Sequence, residues 1–150
     1  MSVRETILTN FATQLATITT ANGYSMSVDS PILRDVPHSE KLTQEIDKAK
    51  IVIEDSGEDS PVSWFETNKG TTEITVNVRC YVRSARDEEP TDEVGSIQAD
   101  VMKLVDSPIS LGANAMFAYV KKIENVVMAE RLAIVEIAVG VLYWYTRSTP

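Results

Sequence analysis

Apolar residues recur along this chain at two different spacings, and the switches between them outline an order of elements. Val3, Ile7, Leu8, Phe11, Leu15 and Ile18 fall three or four positions apart, which puts them on one stripe of an amphipathic helix. Ser2-Val3-Arg4-Glu5 has the S-x-x-E spacing in which a hydroxyl caps one free backbone amide and a carboxylate reaches back to another. The helix is expected to run to Asn22-Gly23, because glycine enters the left-handed conformation of a C-terminal cap without a Cβ penalty. Threonine and glutamine fill its opposite face, so it packs on a neighbour through the stripe alone.

Residues 24–33 alternate weakly and contain Pro31, which lacks an amide donor, so a strand here lies at an edge or ends at the proline. Residues 34–50 are polar, with Pro37 and only Val36, Leu42, Ile46 and Ala49 as aliphatic positions, and read as a long loop with room for a short helix. Ile51-Val52-Ile53 reads as a brief strand, followed at 54–61 by acidic turn chemistry that ends in Pro61. Extended structure returns at 62–66, Asn68-Lys69-Gly70 supplies a turn, and 71–83 alternates more clearly than any other segment. That pattern predicts a hairpin. Ile74, Val76, Val78, Cys80 and Val82 face a core, while Thr75, Asn77, Arg79, Tyr81 and Arg83 face water or a partner.

A second helix is predicted with Pro90 in its first turn. Asp92 and Glu93 favour its positive end, Val94, Ile97, Val101, Leu104 and Val105 form its buried stripe, and Pro108 closes it. Residues 117–128 and 132–145 then read as two long antiparallel strands. The last of these is apolar on both faces: Ala133, Val135, Ile137, Val139, Val141, Tyr143 and Tyr145 alternate with Leu132, Ile134, Ala138, Leu142 and Trp144, and Glu136 is its one charge. A strand with no polar face is covered on both sides, by its own fold or by another subunit. The predicted fold class is α+β, a mostly antiparallel sheet with two helices packed on it and long acidic loops, in one domain spanning 1–150 with a loop region at about 34–61.

Composition narrows the function. A chain of 150 residues buries about 70% of its unfolded surface, enough for a core without staples. With 22 acidic and 14 basic residues the net charge is −8, which repels phosphate backbones and argues against tight nucleic-acid binding. The start MSVRETILTNF lacks the apolar run of a secretory signal, so folding in the cytoplasm is expected. Segment 132–145 is too short for a bilayer span and carries Glu136, so no membrane role is expected.

The elements of catalysis are sparse. The lone histidine, His38, sits in a polar loop beside Pro37 and Ser39, and nothing places a nucleophile or carboxylate next to it. The lone cysteine, Cys80, fits a small buried strand residue. Nucleotide-binding, zinc-protease and serine-hydrolase motifs are absent. The acidic run Glu54-Asp55-Ser56-Gly57-Glu58-Asp59 departs from the spacing of a calcium loop and reads as solvated. A non-enzymatic protein with no cofactor and no metal is expected. Trp144 must point away from Tyr143 and Tyr145, so at least one of these rings lies outside the domain's own core, and a subunit interface suits it. The residues expected at such an interface are Leu142, Tyr143, Trp144 and Tyr145, with Arg79 and Tyr81 from the alternating strand.

The order of elements resembles the tail terminator, or tail completion, proteins of long-tailed bacteriophages. An N-terminal amphipathic helix ends in Asn22-Gly23-Tyr24, a long acidic loop region follows, and then come a strand of alternating valines (74–82), a helix with Ile97, Val101 and Leu104 on one stripe, and a terminal hairpin. The resemblance spans nearly the whole chain and rests on patterning, since that family has no short invariant motif. It implies a structural virion protein of the tail or neck, assembled in the host cytoplasm as a homo-oligomeric ring, usually a hexamer. Such a ring caps the tail tube, stops its polymerisation and meets the head–tail connector protein. Its implied partners are its own copies, the tail tube protein and the connector, with DNA passing through unbound. The alternatives are a neck or head-completion protein, another non-enzymatic assembly adaptor, or a small ligand-binding enzyme using a pocket under loop 34–61.

Overall fold

In a computed structural model of the protein, the strongly alternating segment forms a 15-residue strand, β4 (Lys69–Arg83), inside a six-stranded sheet. The structure describes residues 3–28, 32–33, 50–59, 63–64, 69–83, 91–107, 111–112, 115–129 and 132–146. Helix α1 (Val3–Leu15), a 3-10 turn (Thr20–Asn22), β1 (Ile32–Leu33), β2 (Lys50–Asp59) and β3 (Ser63–Trp64) precede β4. Helix α2 (Thr91–Asp106), β5 (Ala115–Ala129) and β6 (Leu132–Thr146) follow it. The strand order is β1-β2-β4-β6-β5, and β3 pairs with the first residues of β4. Among the described strands, only β1 and β2 pair in parallel. The chain is an α+β fold, two helices on a mostly antiparallel sheet.

Both helices lie on one face, because each has one apolar stripe and the sheet offers one continuous apolar face to receive it. Ile74, Val76, Val78, Cys80 and Val82 of β4 and Val135, Ile137, Val139 and Val141 of β6 are fully buried, in one cluster with Ile7, Phe11 and Leu15 of α1 and Ile97 and Val101 of α2. Burial of each such aliphatic side chain is worth about 1.5–3 kcal/mol. A 13-residue helix is marginal alone in water, so this packing holds α1 in place. Burial also pushes the Cys80 thiol up to about 12, which keeps it protonated and inert.

The N-terminal helix is shorter than its apolar stripe. It ends at Leu15 because Thr17 turns its hydroxyl back onto Gln14 O at 2.6 Å and the following turns tighten to i→i+3 bonds. Ile18 still reaches the core, and Gly23, at φ 87°, caps the 3-10 turn rather than the α-helix. The segment after this cap is held by residues that periodicity does not single out. Buried Asp100 of α2 accepts the backbone N–H of Ser25 (3.0 Å) and of Met26 (2.8 Å). Lys103 donates to Gly23 O at 3.1 Å and lies 4.9 Å over the Tyr24 ring. Asn10 of α1 likewise donates to Leu111 O at 2.6 Å.

Three expectations shift. The acidic run is not a turn up to Asp59: β2 carries it as strand, with a register break between Asp55 and Asp59 where ladder pairing skips. Lys69 and Gly70, expected in a turn, are the first residues of β4, paired with Trp64 and with β6. The strand expected within 24–33 is the dipeptide Ile32–Leu33, at the sheet edge. Ser2, Pro31, loop 34–49 with His38, residues 60–62, Asn68, Pro90 and Pro108 lie outside the described residues. Edge strand β5 departs from regular register three times, between Ala115 and Phe117, Val120 and Lys122, and Asn125 and Val127.

Candidate interaction surface

The face of the sheet turned away from the helices is a ladder of rows across β4, β6 and β5. In register these rows are Thr71–Trp144, Glu73–Leu142–Phe117, Thr75–Gly140–Tyr119, Asn77–Ala138–Lys122, Arg79–Glu136–Glu124 and Tyr81–Ile134. One end is aromatic and open: Phe117 is 54% exposed, Trp144 43% and Tyr119 39%, with Leu142 half-buried among them. The Phe117 and Tyr119 rings lie 6.2 Å apart at 44°. A groove of about 480 Å³ opens here, lined by Ser63, Thr71, Glu73, Phe117, Tyr119 and Leu142.

The middle rows are polar and internally paired. Ala138 and Gly140 leave β6 low, so side chains of edge strand β5 reach across it to β4. Lys121, the extra residue of one β5 bulge, donates to Thr75 Oγ1 at 3.0 Å and lies 3.7 Å from a Glu73 oxygen. The Tyr119 hydroxyl donates to Glu73, and that bond, then burial, then the carboxylate's charge raise its pKa above the ordinary tyrosine value. Arg79 sits between Glu54 of β2 and Glu136 of β6, each at 3.9 Å, and Lys122 pairs with Glu124 on β5. The Arg79 and Lys121 pairs are partly buried but loose, at 3.7–3.9 Å, and the Lys122 pair is exposed, so each contributes about 0–1 kcal/mol and orders the surface more than it stabilises the fold.

Of the residues expected at a subunit contact, Trp144 and Leu142 lie on the open aromatic end. Tyr143 does not: strand alternation turns it onto the helix-facing side, where it is 7% exposed within the core. Tyr81 is also closed off, at 0% exposed, and Val52, which pairs with Arg79 in the next row, is buried too. These two residues therefore present no surface to a neighbour. Arg79 is half-buried in its ion pairs, and the side chain of Tyr145 lies outside the described residues.

Sequence reasoning missed the group made by Glu73, Tyr119 and Lys121. Gly140 was its legible trace, a gap in an otherwise apolar strand, but the bulge that aims Lys121 across it has no sequence signature. Among the described residues no cluster of three or more His, Cys, Asp or Glu side chains is placed to hold a metal ion, and no helix is long and apolar enough to cross a membrane. No protein-family model and no curated protein matches this chain.

Proposed function

We propose that the protein is a structural assembly component of the phage tail-terminator type, which forms a homo-oligomeric ring on the end of a tail tube and joins it to the head connector. The observation that carries this reading is the open aromatic end of the sheet. Phe117, Tyr119, Leu142 and Trp144 form one contiguous patch rimmed by charged side chains, the composition that interface cores favour. The patch is exposed in the protomer, and a heterologous ring covers such a patch on every copy by repeating one contact around a closed axis. The acidic balance of the chain lets DNA pass such a ring without adhering.

The reading is tested by electron microscopy of the purified protein with and without tail tubes. Rings in solution, or rings seated on tube ends, are expected. Monomer alone in light scattering at high concentration, together with bare tube ends, overturns it.

A further inference from the structure

Charge is unevenly distributed between the two faces of the fold. At described positions the sheet face turned away from the helices carries six Lys or Arg against four Glu, a net of +2, whereas α2 carries Asp92, Glu93, Asp100 and Asp106 against Lys103, a net of −3. On the opposite side, the outward stripe of α2 reads Asp92, Gly95, Ala99, Met102, Asp106, all exposed, with Met102 at 40%. A Cβ added to Gly95 meets nothing within 4 Å, so the stripe is low and open, with one apolar side chain between two acidic ends.

We infer that the open sheet face of one copy seats on the outward stripe of α2 in the next copy. The inference rests on the ring reading above and assigns its contact. Two further observations favour a second copy as occupant. The first is the matching apolar centre: Met102, flexible and polarizable, suits the Phe117, Leu142 and Trp144 end of the sheet. The second is length. Asp92 and Asp106 stand fourteen residues apart, about 21 Å along a helix. Exposed Lys69 pairs in the row beyond Trp144, and exposed Lys122 pairs in the Asn77 row, eight residues further along β4, about 27 Å on a strand. Lysine side chains bridge the remaining difference, so the two lysine rows bracket the acidic ends of the helix. A contact between two different surfaces repeats head to tail and gives a ring where its rotation closes, whereas a contact of one surface with itself stops at a dimer.

The test is charge reversal read by light scattering and sedimentation on the full chain, with circular dichroism to verify the fold. Wild type is expected to assemble. Lys69→Glu with Lys122→Glu, and separately Asp92→Lys with Asp106→Lys, should each raise the dissociation constant at least tenfold. A chain carrying all four changes, or a 1:1 mixture of the two paired variants, should recover assembly, because every sheet face again meets a helix of opposite sign. Assembly of both paired variants at wild-type concentration overturns this contact and leaves the ring standing. Reversals that weaken assembly with no recovery in the four-fold variant or the mixture overturn it too. A monomeric wild type overturns the ring and the contact together.

Discussion

Glu73 of β4 lies over Gly140 of β6: a Cβ on that glycine would collide with Glu73 Oε1 and stand 2.9 Å from two carbons of the Tyr119 ring. The glycine is what allows a carboxylate and an aromatic ring from the two flanking strands to meet above the strand between them. Alanine ordinarily favours a strand over glycine, by entropy, so the sign of a substitution here is decided by the collision.

Gly140→Ala should therefore destabilise the fold, by about 1–3 kcal/mol, the usual cost of overpacking. The check is urea unfolding, with a lower midpoint and an unchanged slope. A midpoint at or above wild type would show that Glu73 and Tyr119 move aside freely.

Tyr119 should titrate above the ordinary tyrosine range, led by its bond to Glu73. A raised folded pKa means that the native state keeps the proton after the unfolded chain has lost it. Its contribution is full below about pH 10 and is lost as pH climbs through the folded value. Ultraviolet difference titration of the wild type against Tyr119→Phe should isolate this transition, and Glu73→Gln should bring it back down.

Asp100→Ala should leave the amides of Ser25 and Met26 without their acceptor and cost about 1–3 kcal/mol. Asp100→Asn keeps one acceptor oxygen and should cost less. Hydrogen exchange at those two amides should accelerate more than exchange in β4, which separates a loosened tether from a general loss of stability.

Trp144→Glu should disperse the assembly while leaving a folded protomer, since its ring is 43% exposed and lies outside the core. Loss of the half of the ring that packs on the sheet should cost the protomer about 1–2 kcal/mol, too little to unfold it. Sedimentation and thermal melting together read both halves. An unchanged assembly would remove Trp144 from the contact.

Much of the fold was legible because periodicity reports burial. The α2 stripe from Val94 to Val105 and the alternation from Ile74 to Val82 both mark core positions that the structure buries. The pairing of β5 with β6 was legible too, as two long strands in succession, but the second apolar face of β6 is only half-buried in the protomer, with Trp144 exposed. What periodicity does not carry is local competition and long-range coincidence. Thr17 ends α1 early through a hydroxyl bond, and the acidic run belongs to β2 because β4 offers it a partner. Tyr81 reads as surface by alternation, yet burial at that end of the sheet closes it off. At the surface patch Trp144 was visible as a ring displaced from its neighbours. Phe117 and Tyr119 join it only once β5 is laid in register beside β6.

The broken register of β5 bears on which kind of association the sheet edge admits. An outer strand of 15 residues is a template for any passing chain, and a flat one would recruit copies end on end into fibres. Three kinks and the adjacent Lys121 and Lys122 spoil that template along its length. Growth by backbone pairing is thus frustrated at this border, and any contact made there falls to side chains, which are specific where a bare backbone edge is not.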